Sequence, residues 1–129
     1  MGNRAVISFG REANAPSIYL HWNGGVSSVQ GFLDAAKALG VRANDPVYGC
    51  ARVAQIIGNF FGGTLSLGVG PANSLDKDNM DNGQYIVERL EIVDRNFAPS
   101  YAEPLNQAQV NAICAACIEI NKPIFERGL

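Results

Sequence analysis

Hydrophobic and polar positions alternate at both ends of the chain and recur with helical spacing in between. Arg4 to Phe9 (RAVISF) and Ser17 to Trp22 (SIYLHW) are β-branched, alternating runs separated by a polar turn with Asn14 and Pro16. They predict two strands joined as a hairpin. Asn23-Gly24-Gly25 stops the second run with residues that accept positive φ.

Two helices are predicted next. Val29, Phe32, Leu33, Ala36 and Leu39 follow an i, i+3, i+4, i+7 pattern, and Gly40 marks its end. Ser27 with Gln30 has capping-box spacing at its start. Asp45-Pro46 is an N-cap followed by a first-position proline, so a second helix should run to about Phe61 and end at Gly62-Gly63. It is apolar nearly all round, which predicts burial on most sides.

Thr64 to Val69 (TLSLGV) predicts a strand, and Pro71 to Asp81 a polar loop or short strand. Asn82-Gly83 carries the strongest hairpin-turn signal, and Gln84 to Arg95 should be the longest strand, with one covered face and one wet face. After a connection marked by Pro99 and Pro104, a last helix is expected from about Leu105 to Lys122, stopping before Pro123. Its apolar stripe is Val110, Ile113, Cys114, Cys117 and either Ile118 or Ile120. The fold class expected is α+β: a mostly antiparallel sheet packed against two central helices and a C-terminal helix. A single domain over residues 1–129 is expected, with 1–97 as its core and 98–129 as linker and terminal helix.

Composition narrows the functional classes. The 129 residues carry ten basic and twelve acidic side chains, a net charge of −2. Without a Lys/Arg run, duplex DNA or RNA is an unsuitable partner. Only 17% of residues are charged, against roughly 25% in typical globular domains, and this leaves weakly charged surface for a pocket or for subunit contacts. Apolar stretches are too short for a membrane span, and the Met1-Gly2-Asn3-Arg4 start lacks a signal core. Three cysteines read as free thiols in a reducing cytoplasm.

No motif for catalysis or metal binding stands out. His21, the single histidine, has no partner that the sequence identifies; beside it, Trp22 reads either as a packed residue or as a pocket wall. Asp76, Asp78 and Asp81 with Asn79 and Asn82 imitate a calcium loop, but Val87 stands where its closing glutamate belongs. Cys114 and Cys117 lie inside a helix, away from where a redox or zinc motif would sit. No cofactor or metal is expected, and the chain does not read as an enzyme. The informative feature is Tyr48, Arg52, Gln55 and Asn59, at i, i+4, i+7 and i+11 along the apolar second helix. This stripe is either the helix's solvated face or a polar strip lining a pocket or interface, with Arg52 as an anion clamp.

The segments MGNRAVI at 1–7, YLHWNGG at 19–25, YGCARVAQIIGNFFGGTLSLG at 48–68 and DNGQYIVERLEIVDR at 81–95 resemble a family of small phage, prophage and mobile-element proteins. The resemblance spans about residues 1–97. That family in turn is similar to the phage Thoeris anti-defence sponge proteins of the first type. It implies a non-catalytic homo-oligomer in the host cytoplasm that sequesters a cyclic-ADP-ribose-type signal or a cyclic oligonucleotide. The alternatives are an inhibitor that binds a host defence protein directly, as anti-CRISPR proteins do, and a structural or interaction protein. For a nucleotide ligand, chemistry points to Trp22 and Phe60 or Phe61 for stacking on adenine and to Arg52 with Arg89 for phosphate.

Overall fold

A computed structural model describes residues 2–63 and 65–127. The elements run β1 (Ala5–Ser8), β2 (Pro16–Leu20), α1 (Val26–Ala38), α2 (Pro46–Phe61), β3 (Leu67–Pro71), β4 (Gln84–Glu88), β5 (Glu91–Asn96) and α3 (Gln107–Phe125), with a 3-10 turn at Ala72–Ser74. The five strands form one sheet in the order β3-β2-β1-β4-β5. The fold is α+β, as the hydrophobic pattern predicts. All strand pairs are antiparallel except β1 with β4, which lie parallel at the centre with Val6 opposite Gln84 and Ser8 opposite Ile86.

Alternation along the strands sorts the side chains. Ala5, Ile7 and Phe9, Ile18 and Leu20, and Tyr85 and Val87 join the core with Phe32, Leu33, Val53, Ile56 and Ile57 of α1 and α2. The opposite face carries a polar ladder across four strands. Ser17 donates to Ser8 at 2.8 Å, Gln84 donates to Ser8 at 2.9 Å, and Asn96 donates to the Gln84 carbonyl at 3.0 Å. Segment 72–82 covers part of this face, with Leu75 over Gly70 and Asp81 bonded to Arg4 at 2.7 Å. Among the described residues, no buried side-chain polar atom lacks a partner, as burial in a low-dielectric interior requires.

Helix α2 begins as expected: the Asp45 carboxylate accepts from the Tyr48 N–H at 3.1 Å, and Gly62 closes the helix in the left-handed conformation. Helix α1 does not use the expected capping box. Its cap is Gly25, with no side-chain cap bond; Ser27 accepts from the Asn106 N–H at 2.8 Å and Gln30 donates to Asp34. The serine instead ties the start of α1 to the start of α3, where Asn106 caps the Gln109 N–H. Gly31 lets these helices approach closely, because a methyl group there would meet the Ile113 side chain at 2.7 Å. This contact offsets the roughly 1 kcal/mol that a mid-helix glycine costs.

Four further expectations are corrected. Gln84 to Arg95 is two strands, not one, folded by a two-residue turn with Arg89 and Leu90 both at positive φ, 54° and 61°. That turn type usually takes Asn-Gly, so residue types hide it; burial of the Leu90 side chain in the core offsets the strain. Asn82-Gly83 is not a hairpin turn but the lead into the parallel strand β4. Asn79 builds this bend by accepting from the N–H groups of Asp81, Asn82 and Gly83. Strand β3 starts at Leu67, later than expected, and Thr64 lies outside the described residues. Helix α3 passes through Pro123 to Phe125. A proline in the last turn loses one hydrogen bond, while Phe125 gains packing against the core.

In α3, Val110 and Cys117 are buried, Ile113, Cys114 and Ile118 are half-buried against the core, and Ile120 is exposed. Asn121, unexpected in an apolar stripe, is fully buried. It donates to the carbonyls of Cys117 at 2.9 Å and Ile56 at 3.2 Å and accepts from Asn59 at 2.8 Å.

Gly83 and Gly40 separate backbone strain from steric exclusion. Both have positive φ, 73° and 84°, but a methyl at Gly83 would run into the Asn96 carbonyl oxygen, whereas Gly40 faces open space. Gly40→Ala should cost only the left-handed penalty of roughly 1–2 kcal/mol. Gly83→Ala should cost about 1–3 kcal/mol more. Equal urea midpoints for the two variants would refute this difference.

Candidate functional site

The first half of α2 separates two adjoining clefts. One, of about 310 Å³, lies at the carboxyl ends of the parallel strands β1 and β4. Phe9, Val87 and Leu90 are among its apolar walls, the α1–α2 connection supplies Arg42 and Asp45, and Glu12, Glu88 and Arg89 line it as well. The other, of about 270 Å³, is lined by Leu39, Val41, Tyr48, Arg52, Gln55, Ile124 and Phe125. It forms where the end of α3 meets α1 and α2, so it requires the continuation of that helix beyond Pro123.

Tyr48 and Arg42 form the partition. The Arg42 guanidinium lies 4.1 Å from the centre of the Tyr48 ring, and that of Arg52 lies 5.3 Å from the same ring. Each gains from the ring's quadrupole, while their like charges repel. Arg42 is partly neutralised by Asp45 at 3.4 Å. Arg52 donates to the Gln55 carbonyl at 2.9 Å and, among the described residues, has no carboxylate partner; Arg89 has none either. The acidic groups of the larger cleft are unevenly engaged, since Glu88 lies 3.5 Å from Arg11.

The structure thus brings together Tyr48, Arg52 and Gln55 of the predicted strip. Asn59 is drawn into the α2–α3 contact through Asn121 and stands apart from the cleft. Arg89 belongs to the neighbouring cleft. Phe61 is buried in the core and Phe60 is half-buried against it, both edge-on to Phe32, and neither lines the cleft with Arg52. Trp22 lies beyond the end of β2, 37% exposed and edge-on to His21, so neither the packed-tryptophan expectation nor a shared pocket with Arg52 describes it. Arg42, Val41 and Phe125 were missed. Only folding brings the α1–α2 connection and the end of α3 to Tyr48, and no spacing rule connects them.

Three titratable groups outside the clefts, His21, Arg4 and Asp81, are engaged with protein partners. The His21 Nδ1 lies 2.9 Å from the Tyr19 hydroxyl, and neither side chain lines the clefts above. Arg4 bonds Asp81 and holds its carboxyl below the usual range. Asp76 also faces Arg4, at 3.9 Å, so two of the three carboxylates of the calcium-like loop are turned to a guanidinium. Among the described residues, no group of three His, Cys, Asp or Glu could hold a metal ion, and no helix is long and apolar enough to cross a membrane. No protein-family model, curated protein or solved structure matches the chain.

Burial pushes the Cys50 thiol up to about 11, the Cys117 thiol to about 12 and the Tyr85 phenol, which donates to the Gly24 carbonyl, to about 12. Their ordinary values are 9.0 for the thiols and 10.0 for the phenol. The unfolded chain therefore loses these protons first as pH rises, so the stability they supply is complete below pH 9 and declines progressively towards pH 12. In the native protein at pH 8, a thiol reagent should modify Cys114 ahead of Cys50 and Cys117, which should react only on unfolding. Three equally fast thiols would contradict this burial.

Proposed function

We propose that the chain is a non-catalytic binding protein that holds a small phosphorylated, nucleotide-like molecule in the Tyr48–Arg52 cleft. The observation that carries this reading is the placement of two guanidinium groups against one tyrosine ring at the wall shared by two clefts. Arg52, without a carboxylate, has its charge available for a phosphate oxygen. Phe125 offers aromatic surface for a flat heterocycle, Tyr48 holds the two guanidinium groups beside it, and Gln55 offers an amide to orient it. The neighbouring cleft with Arg42 and Arg89 gives room for the remainder of a larger ligand. In the setting implied by the resemblance to phage anti-defence sponges, such a protein would capture a cyclic nucleotide signal and keep it from its receptor. Binding without turnover, by a homo-oligomer in the host cytoplasm, suffices for that role.

Calorimetric titration with cyclic ADP-ribose isomers and cyclic oligonucleotides, with AMP for comparison, tests the proposal. Arg52→Ala should weaken the binding of whichever ligand binds by about 10–100-fold, the worth of roughly 1.5–3 kcal/mol for a hydrogen bond to a charged group. Arg52→Lys should not restore it fully, because a planar fork is replaced by a point charge. Absence of binding by every nucleotide, or binding indifferent to Arg52, would remove the cleft from consideration.

A further inference from the structure

The larger cleft holds two opposite charges that the protein leaves without partners. It opens at one end of the sheet, where the β1–β2 and β4–β5 turns lie side by side because β1 and β4 run parallel. Five charged side chains line it: Glu12, Arg42, Asp45, Glu88 and Arg89. Arg42 faces Asp45 at 3.4 Å, and Glu88 faces Arg11 at 3.5 Å. The side chains of Glu12 and Arg89 make no ion pair or hydrogen bond among the described residues, with each other or with any other group. They belong to different walls, Glu12 to the β1–β2 turn and Arg89 to the β4–β5 turn. Arg11 ties these walls together, since it reaches from the first turn to Glu88 of β4 and, at 2.9 Å, to Asp94 of β5. Between the walls the floor is apolar, with Phe9, Val87 and Leu90 all buried. Its volume of about 310 Å³ is at the lower end of the roughly 300–1,000 Å³ that small-ligand sites occupy.

A carboxylate only accepts hydrogen bonds and a guanidinium only donates them. A flat group that suits both must carry donors on one edge and acceptors on another, with apolar faces for the floor. Guanine meets this requirement. Its N1–H and N2 amine are neighbouring donors for a carboxylate, and its O6 and N7 are the acceptor pair that a guanidinium engages with two bonds. Adenine has a single amine flanked by the N1 and N7 acceptors, so a carboxylate accepting from N6 faces a lone pair beside it. Cytosine and uracil lack the paired donors. We propose that the larger cleft receives the base of the bound nucleotide and selects guanine, with Glu12 reading N1–H and the N2 amine and Arg89 reading O6 and N7. The inference rests on the nucleotide reading of the Arg52 cleft and adds the identity of the base to it.

Calorimetric titration of the full chain with GMP, AMP, IMP and guanosine reads the base separately from the phosphate. GMP should bind about tenfold more tightly than AMP or better. IMP, which keeps N1–H but lacks the N2 amine, should fall between them. Glu12→Gln should remove most of the preference for GMP and leave AMP affinity unchanged or raised. The 7-deaza analogue of GMP, which lacks the N7 acceptor, should bind the parent more weakly than GMP, whereas Arg89→Ala should bind the two alike. Both residues are exposed, so the variants should melt with the parent. Equal affinity for GMP and AMP, or a guanine preference that survives both variants, overturns the choice of base and leaves the phosphate cleft standing. Guanosine binding as tightly as GMP, with the preference for guanine intact, removes Arg52 as a phosphate clamp and upholds the base site. Failure of guanosine and of every nucleotide to bind overturns both.

Discussion

The parallel pairing of β1 with β4 at the centre of the sheet is the constraint on which the remaining architecture depends. It joins residues nearly eighty positions apart in sequence, and β1 already pairs with β2 on its other side. A parallel neighbour cannot be reached by a tight turn, so the intervening chain must leave the sheet, form α1 and α2 over one face, and return through β3. The same pairing sets the carboxyl ends of β1 and β4 side by side. Phe9 and Glu88 consequently open the larger cleft at the start of α2.

Polar groups hold this arrangement at the places where hydrophobic packing alone would leave it ambiguous. The Ser17–Ser8–Gln84–Asn96 ladder links β2 to β5 through two intervening strands. Asn79 closes the bend before β4 and Asn121 locks α3 to α2. Apart from the exposed Asn96, each of these side chains is buried and satisfied, so a shifted register would leave polar atoms without partners. Helix α3 is thereby an integral part of the core: it caps off α1 and α2 and completes the smaller cleft with Ile124 and Phe125.

Strain is distributed in two different ways. At Leu90 a left-handed residue pays for its backbone with a buried side chain, and the hairpin tip is fixed. At Met80 and Phe97 the left-handed backbone carries side chains that stay 74% and 52% exposed. Meanwhile Tyr48 uses its ring to hold two arginines near each other at the mouth of the clefts.

The α+β class, the Asp45-Pro46 start of α2, the apolar stripe of α1 and the Tyr48, Arg52 and Gln55 strip were legible in the residues, because local chemistry and helical periodicity determine them. The strip could be read as a line on one helix, but its surroundings could not. Arg42 and Phe125 reach Tyr48 only through packing of distant segments, and Asn59 leaves the site because Asn121 captures it. Likewise Asn82-Gly83 has turn chemistry, while the actual hairpin folds at Arg89-Leu90, where core burial overrides backbone preference. The sequence by itself determined where helices and most strands form, since those depend on near neighbours. Tertiary structure alone decided which strands meet in parallel, which caps are used and which side chains share a cleft, because those outcomes are set by the burial and pairing of groups far apart along the chain.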